Sequence, residues 1–398
     1  MVPGWSNNAR RRAFLFHRGF FAMTDVLFTP FSINALSLKN RIVMSAMTRG
    51  FSTGGVPGND VAAYYRARAE GGVGLIITEA VAIRRAAAAE VAGIPTFHTA
   101  ESRAGWSAVV NGVHAAGGRI AAQLHHAGAL RDPQEMGAPD VPNDEPNTMT
   151  QGDIEDTIAA FAEAAATARS LGFDAVEIHG ANGNLIDQFL WSGRNARSDR
   201  WGGSLLARTQ FAVEVVRAVR LAVGPGFPVL FRISQFKQKA FDARIADDPY
   251  EFGTILNVLS DAGVDMFHAS QRRFWEPAFA PSPLNLAGWA RRLSGKPSIT
   301  VGSVGLDGPD VTDLLTGKGG NAGPGGLDEL RARLNDGEFD LVAVGRALLT
   351  DPAWPDKVRE GRLQDLRGFD LRSLGSLVIS DPAIGAESES VETGGTGS

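Results

Sequence analysis

Residues 154–180 read IEDTIAAFAEAAATARSLGFDAVEIHG and contain the repeating unit that decides the fold. Apolar residues in 154–171 recur at helical spacing, and a glycine follows the last of them, as is typical of a helix end. Residues 173–180 then form a nearly continuous apolar run, which is expected for a parallel strand covered on both faces. This stretch therefore predicts a helix followed by a buried parallel strand.

The same unit recurs along the chain. The predicted strands are residues 42–47, 73–80, 119–126, 173–180, 228–234, 264–270, 298–303 and 339–346. Helical patterns lie between them at residues 61–70, 106–116, 154–171, 208–223 and 250–262. Strict alternation of strand and helix indicates a parallel sheet. Eight such units indicate an α/β protein whose single domain is a closed (β/α)₈ TIM barrel.

An open doubly wound sheet is the competing topology. It requires a glycine-rich turn after the first strand, and residues 45–49, SAMTR, contain no glycine. The glycines in 319–326 fall before the last strand, where we interpret them as a low-complexity loop insertion. The barrel is therefore the predicted fold.

The composition excludes several classes of function. The 398-residue chain has 39 basic and 44 acidic residues and a formal net charge of -5, which predicts neither a nucleic-acid partner nor a membrane surface. It has 0 cysteines, which excludes disulfides, thiolate zinc sites and cysteine-ligated iron–sulfur clusters. Any redox chemistry must therefore use a bound cofactor.

The two ends of the chain differ from its middle. Residues 11–15, RRAFL, resemble a twin-arginine export motif, but His17 and Arg18 interrupt the apolar region that such a signal needs. We therefore predict a cytoplasmic protein. The expected organisation is a disordered N-terminal extension at residues 1–24, the barrel at residues 25–385, and a disordered tail at residues 386–398.

Polar side chains stand at the ends of the predicted strands. They are Thr48, Glu79, Gln123, His125, His126, His179, Asn182, Arg232, His268, Ser303 and Arg346. A purely structural barrel also has some polar strand ends, because its strands emerge into solvent. A ring this complete favours a functional site, since catalytic groups gather at the carboxyl ends of barrel strands.

The last two strands end in Gly302-Ser303 and Gly345-Arg346. Strands seven and eight of this fold commonly build a phosphate site from glycines, backbone N–H groups and a helix N-terminus. Arg346 would add a bidentate donor. Either motif alone fits a tight turn equally well, but together they predict a phosphate-bearing ligand.

Two further positions indicate how such a ligand is used. Arg232 lies in an apolar strand, so it must either pair with a carboxylate such as Glu177 or face a bound anion. His179 and Asn182 lie three residues apart at a strand-to-helix corner, where both can donate to one oxygen atom. The neighbouring pair at residues 125–126 predicts no metal site, because adjacent strand residues point to opposite faces.

The chain resembles the Old Yellow Enzyme family, the FMN-containing, NAD(P)H-dependent ene-reductases also named NADH:flavin oxidoreductases. The resemblance covers residues 27–366. Its motifs are residues 42–49 (IVMSAMTR), 71–79 (GGVGLIITE), 122–126 (AQLHH), 176–183 (VEIHGANG), 187–190 (DQFL) and 197–204 (RSDRWGGS), then Arg232, Gly302-Ser303 and Gly345-Arg346. It implies FMN at the barrel mouth, reduction by NADH or NADPH, and ping-pong hydride transfer from flavin N5 to an activated alkene.

The resemblance also implies a role for each site residue. The residues that match cofactor contacts are Ala46, Met47, Thr48, Ala80, Gln123, Arg232, Gly302, Ser303, Gly345 and Arg346. Among them, Thr48 tunes the reduction potential, Gln123 binds the pyrimidine edge, and Arg232 lies near flavin N1. His179 and Asn182 match the pair that binds the carbonyl or nitro oxygen of the substrate.

Two positions depart from the family pattern. A tyrosine that protonates the α-carbon usually stands where this chain has Asn184, and an amide cannot act as a general acid near neutral pH. None of the three tyrosines offers an evident replacement. We therefore expect alkene reduction to be slow or to use a solvent proton, with quinones and nitro compounds less affected. His125 stands where many relatives carry tryptophan, which leaves the substrate preference open.

Two other functions stay open. A flavin-free aldolase or isomerase could use the phosphate site, but it needs a strand-end lysine or carboxylate base, and only Glu79 and Glu177 lie near. An FMN-binding protein with weak turnover is consistent with Asn184. The main prediction is a monomeric or homodimeric FMN oxidoreductase that reduces activated alkenes, with a quinone or nitro reductase as its alternative.

Overall fold

The computed structural model describes residues 25–310, 313–314, 316–318 and 320–378. Its strands are β1 (Phe31–Ile33), β2 (Leu36–Leu38), β3 (Ile42–Met44), β4 (Leu75–Ala82), β5 (Arg119–His125), β6 (Ala175–Asn182), β7 (Val229–Lys237), β8 (Met266–Ser270), β9 (Ser298–Val301), β10 (Leu306–Asp307), β11 (Gly323–Pro324) and β12 (Leu341–Val344). Eight of these form a closed barrel in the order β12-β3-β4-β5-β6-β7-β8-β9, with all pairs parallel. The predicted TIM barrel is confirmed.

Helices alternate with the barrel strands. They are α1 (Asn59–Glu70), α2 (Ala100–Ala115), α3 (Gln151–Ser170), α4 (Leu185–Leu190), α5 (Leu205–Val223), α6 (Pro249–Ala262), α7 (Leu286–Ser294), α8 (Leu327–Asn335), α9 (Ala347–Thr350) and α10 (Trp354–Arg359). α2 begins earlier than its apolar pattern predicts, because Thr99 and Ser102 form a reciprocal capping box at its start. No helix in the described ranges is long and apolar enough to cross a membrane.

The N-terminal hairpin of β1 and β2 closes one end of the barrel. Leu36 and Leu38 pack into the same apolar cluster as the barrel-interior residues Val43, Leu75 and Leu341. These interior residues lie near the amino ends of their strands. The end that remains for a ligand is therefore the carboxyl end, where the polar residues stand.

Some predicted strand boundaries differ from the observed ones. β4, β6 and β7 extend beyond their predicted ends, and register shifts after Ile77 and after Gly180 accommodate the extra residues. The glycine-rich insertion is not wholly irregular, since β11 pairs antiparallel with β10. The predicted extension at residues 1–24 and the tail at residues 386–398 lie outside the described residues.

Candidate active site

One cavity at the carboxyl end of the barrel contains all the predicted catalytic and cofactor-binding residues. It has a volume of about 440 Å³, which suits a cofactor or a small substrate. The predicted residues that line it are Ala46, Met47, Thr48, Ala80, Gln123, His179, Asn182, Asn184, Arg232, Gly302, Ser303, Gly345 and Arg346. Glu79, His126 and His268, which also belong to the predicted polar ring, do not line the cavity.

The end of β6 aims the predicted oxygen clamp at the cavity. Asn182 has a φ of 61°, a left-handed conformation that asparagine tolerates better than most residues. Its backbone N–H donates to Ser234 Oγ at 2.8 Å, which fixes this turn against β7. The register shift after Gly180 thus brings the side chains of His179 and Asn182 to one cavity.

His179 is held by its neighbour rather than by a carboxylate. Asn184 Nδ2 lies 3.1 Å from His179 Nε2, and the same amide donates to the carbonyl of Ala181 at 2.9 Å. Burial, together with the positive charge of Arg232, places the pKa of His179 well below its ordinary value. The imidazole is therefore neutral near pH 7 and can donate a hydrogen bond, but it does not serve as a strong acid.

Arg232 presents a cation to the cavity. Within the described residues its guanidinium contacts only the carbonyl of Ala46 at 3.3 Å and Ser270 Oγ at 3.4 Å, and its Nε has no partner. Burial lowers its pKa, although the charge of Glu177 partly opposes this shift. No carboxylate in the described part of the chain forms an ion pair with it. This favours an arginine that faces a bound anion in the cavity over one that pairs with a structural carboxylate.

Glu177 instead orients Gln123, which is predicted to bind the cofactor. Its carboxylate accepts a hydrogen bond from Gln123 Nε2 at 2.8 Å and contacts His268 Nδ1 at 2.7 Å. Burial alone would raise the pKa of Glu177, but His268 brings it below its ordinary value. The fixed amide of Gln123 keeps its carbonyl oxygen and one N–H free to face a ligand.

Gly302 and Ser303 form a cradle after β9. Gly302 has a φ of 135°, and a Cβ there would lie 2.6 Å from the carbonyl oxygen of Gln271. Arg346 Nη2 donates to Ser303 Oγ at 3.2 Å, and its Nη1 donates to the carbonyl of Pro309 at 2.7 Å. The guanidinium thus lies beside a backbone conformation that only glycine adopts readily. A cation next to closely approachable backbone suits a bound anion. The helix that follows, α9, spans only four residues. The N-terminus of this helix therefore adds little to the binding of an anion at the cradle.

Several residues that line the cavity are not indicated by any pattern in the sequence. Glu90 and Val91 come from the long loop between β4 and α2, and Leu374 comes from the C-terminal segment. Glu90 contacts His125 Nε2. Because 35 positions separate these two residues, no local spacing could have indicated the pair.

Other sequence motifs have structural roles. Asp187 accepts from the backbone of Gly183 at 2.6 Å and from Lys237 Nζ at 2.8 Å, which ties the corner after β6 to β7. In the 197–204 motif, Trp201 Nε1 donates to Gln151 at 2.8 Å. Tyr65 is buried and its hydroxyl accepts from the backbone of Glu79 at 2.8 Å, away from the cavity.

The acidic and imidazole groups do not assemble a metal centre in the described residues. No three His, Asp or Glu side chains there are close enough to hold a metal ion. His126, the neighbour of His125 in the sequence, instead contacts Asp144 at 2.9 Å.

The site combines a closed barrel, a cation and a glycine-containing cradle at the carboxyl end, which is where proteins of this fold commonly bind phosphate groups. Residues 26–321 match the model of the NADH:flavin oxidoreductase / NADH oxidase family. The chain belongs to this family, and the resemblance to Old Yellow Enzymes is confirmed.

Similar proteins of known sequence are named as oxidoreductases. The chain is 32% identical to an NADH oxidase from Thermoanaerobacter brockii, over 86% of this chain but 52% of that protein, so it spans about half of that relative. It is 33% identical to an NADPH dehydrogenase from Bacillus licheniformis, over 83% of this chain and 92% of that protein. Among solved structures, morphinone reductase in complex with tetrahydroNAD has a TM-score of 0.71 and 28% identity, covering 90% of this chain and 98% of the other.

Proposed function

We propose that this protein is an FMN-dependent NAD(P)H oxidoreductase that reduces electron-poor alkenes. The observation that carries the proposal is that one cavity combines the His179–Asn182 pair, the unpaired charge of Arg232 and the Ser303–Arg346 cradle. The names of the relatives, NADH oxidase and NADPH dehydrogenase, support a reduced nicotinamide as the electron source. The morphinone reductase complex supports a nicotinamide site in the same fold.

The side chains of the cavity fit FMN. Gln123 offers both a donor and an acceptor, which matches the N–H and C=O groups of a pyrimidine edge. Arg232 suits the side of the flavin where negative charge accumulates on reduction. The cradle of Ser303 and Arg346 suits the phosphate. When bound, FMN would take a hydride from NAD(P)H and pass it to the acceptor.

The remaining cofactor positions shape the ring site. Residues 46–48 and Ala80 line the same cavity as the cradle and the clamp, and Gly345 lies next to Met47. We propose that Ala46, Met47 and Ala80 contact the flavin ring and that the exposed Thr48 hydroxyl tunes its potential.

The clamp residues act on the substrate oxygen. The neutral imidazole of His179 and the amide of Asn182 can both donate to a carbonyl or nitro oxygen. As hydride reaches the β-carbon, negative charge develops on that oxygen, and the two donors stabilise it most strongly at this stage. Asn184 contributes by holding the His179 ring.

A quinone or nitro reductase is the second candidate. The position expected to supply a carbon acid holds Asn184, whose amide is engaged with His179 and Ala181. Quinones need protons only on oxygen, and these exchange readily with water. An aldolase or isomerase has less support, because no lysine lines the cavity in the described ranges.

Colour and anaerobic titration test the proposal. The purified protein, or the protein loaded with FMN, should be yellow and should bleach with NADPH or NADH. Recolouring by cyclohexenone and by a quinone, with parallel-line steady-state kinetics, is the expected ping-pong result. Recolouring by the quinone alone would favour the second candidate. A protein that binds FMN but is bleached by neither nucleotide would be a flavin-binding protein, and failure to bind FMN would contradict the whole proposal.

A cytoplasmic location and a monomeric or homodimeric state stay predictions from the sequence. Gel filtration with light scattering of the FMN-loaded protein measures the latter.

A further inference from the structure

We propose that His125, paired with Glu90, is the catalytic acid that protonates the α-carbon of the alkene. This inference rests on the proposed function and assigns a role that Asn184 cannot fill. It concerns the bond between the α-carbon and hydrogen, which must form for hydride transfer to the β-carbon to go to completion.

The first support is position. His125 ends β5 and lines the cavity, and its ring centroid lies 5.5 Å from that of His179. Under the proposed function His179 holds the substrate oxygen, and the α-carbon is two bonds from that oxygen, so we place it within reach of both rings. A proton from His125 can reach it directly or through one water molecule.

The second support is the pairing of the imidazole. His125 Nε2 contacts the Glu90 carboxylate, and its side chain is 1% exposed against 19% for Glu90. In the described residues, His125 Nδ1 has no hydrogen-bond partner. One nitrogen is thus held by a carboxylate while the other is left for a ligand.

The third support is charge. Burial alone would raise the pKa of Glu90, but His125 brings it below the ordinary value, so Glu90 is ionised near neutral pH. A carboxylate in contact with an imidazole favours the imidazolium form. The neighbouring imidazoles are neutral near pH 7, because burial lowers the pKa of both His179 and His126. Glu90 therefore places a negative charge against the imidazole of His125.

Elimination leads to the same residue. The titratable side chains that line the cavity in the described ranges are Arg49, Glu90, His125, His179, Arg232, Arg272 and Arg346. An arginine does not release its proton in proteins. His179 is neutral near pH 7 and Glu90 is ionised. His125 is the one remaining acid of this set.

The atoms and electrons of this step balance with NAD(P)H as the proposed reductant. The alkene takes a hydride at the β-carbon, and NAD(P)H supplies that electron pair overall. The electron pair at the α-carbon then takes the proton from His125, so that an N–H bond breaks and a C–H bond forms. A solvent proton restores the imidazolium, and the partly exposed Glu90 connects the pair to solvent.

The test compares two acceptors in anaerobic stopped-flow experiments on FMN-loaded protein. His125→Phe should slow reoxidation by cyclohexenone about 100-fold, as expected for loss of a general acid, and should slow reoxidation by benzoquinone less than tenfold. His125→Gln gives a second measurement with a smaller change in shape, and the same loss is expected. His114→Gln is the matched control, because this histidine also contacts a carboxylate, that of Asp174, but lies outside the cavity, and it should keep the ratio of the two rates.

The pH profile adds a readout that a purely structural role would not move. In the wild type, enone reoxidation should fall as pH rises, because a general acid must carry the proton that it donates. Glu90→Gln removes the neighbouring negative charge, so the fall should occur at lower pH.

The outcomes separate the two claims. Equal slowing of both acceptors by His125→Phe, or an unchanged enone rate, would overturn the inference while the proposed function stands. A wild type that NAD(P)H does not bleach, or that cyclohexenone does not reoxidise, would overturn both.

Discussion

Asn184 Nδ2 lies 3.1 Å from His179 Nε2 and 2.9 Å from the carbonyl oxygen of Ala181. A carbonyl oxygen only accepts, so the amide presents its N–H groups to both partners. His179 Nε2 must then accept, and the neutral ring carries its proton on Nδ1. Asn184 therefore fixes the tautomer of the clamp residue, a positioning role that differs from that of an acid.

A tyrosine at this position should restore an acid where one is missing. In a His125→Phe background, Asn184→Tyr should raise the rate of enone reoxidation at least tenfold, because a phenol can protonate carbon. Asn184→Phe in the same background loses the same contact with His179 without gaining a hydroxyl. Anaerobic stopped-flow rates that are equal for the two double variants would contradict the prediction.

The fold could be predicted because its signal is local. Each barrel strand is a short apolar run, and the five predicted helices each have their own period and often a glycine at the end, as at Gly172 and Gly263. The strand ends at 180 and 234 were placed too early. Register shifts lengthen β6, and such irregularities depend on the neighbouring strand rather than on the segment itself.

The site was predictable only where residues end strands. His179, Arg232 and Ser303 meet in space because parallel strands bring their carboxyl ends to one rim. Glu90 does not end a strand, and its contact with His125 depends on the path of a long loop. The engagement of Asn184 with His179 likewise depends on the geometry of the corner after β6, which composition and spacing do not encode.

Gly302→Ala should disrupt the anion cradle. A Cβ at φ 135° would lie 2.6 Å from the carbonyl of Gln271, so the loop must move or the chain must bear about 1–3 kcal/mol of strain. FMN should bind at least tenfold more weakly in a fluorescence titration. Gly226→Ala is the control, because a Cβ there meets nothing within 4 Å. An unchanged dissociation constant for Gly302→Ala would show that the cradle does not hold the cofactor.

Arg346→Gln should separate the phosphate of FMN from its ring. The guanidinium contributes charge-assisted hydrogen bonds worth about 1.5–3 kcal/mol, so FMN should bind roughly 10- to 100-fold more weakly. Riboflavin has the same ring without the phosphate, and its affinity should change by less than about threefold on this argument. Parallel titrations of both flavins measure the difference, and an equal loss for the two would place Arg346 elsewhere than at the phosphate.

Buried histidines should make the protein less stable in mild acid. Burial lowers the pKa of His126, His179 and His268 below the ordinary value of 6.5. In the unfolded chain these rings take up protons as pH falls through 6.5, while the folded state resists, so stability is full above that pH and declines below it. Each ring contributes up to about 1.4 kcal/mol per pH unit, so the free energy of unfolding should be about 1–4 kcal/mol lower at pH ~5.5 than at pH ~7.5.

Asp144, whose pKa is lowered from 3.8 to about 2, loses its contribution only at more acid pH and does not interfere. Urea unfolding at the two pH values measures the difference, and His126→Gln should reduce it by removing one titrating ring. Equal stability at both pH values would mean that these rings are protonated as readily in the folded protein as in water.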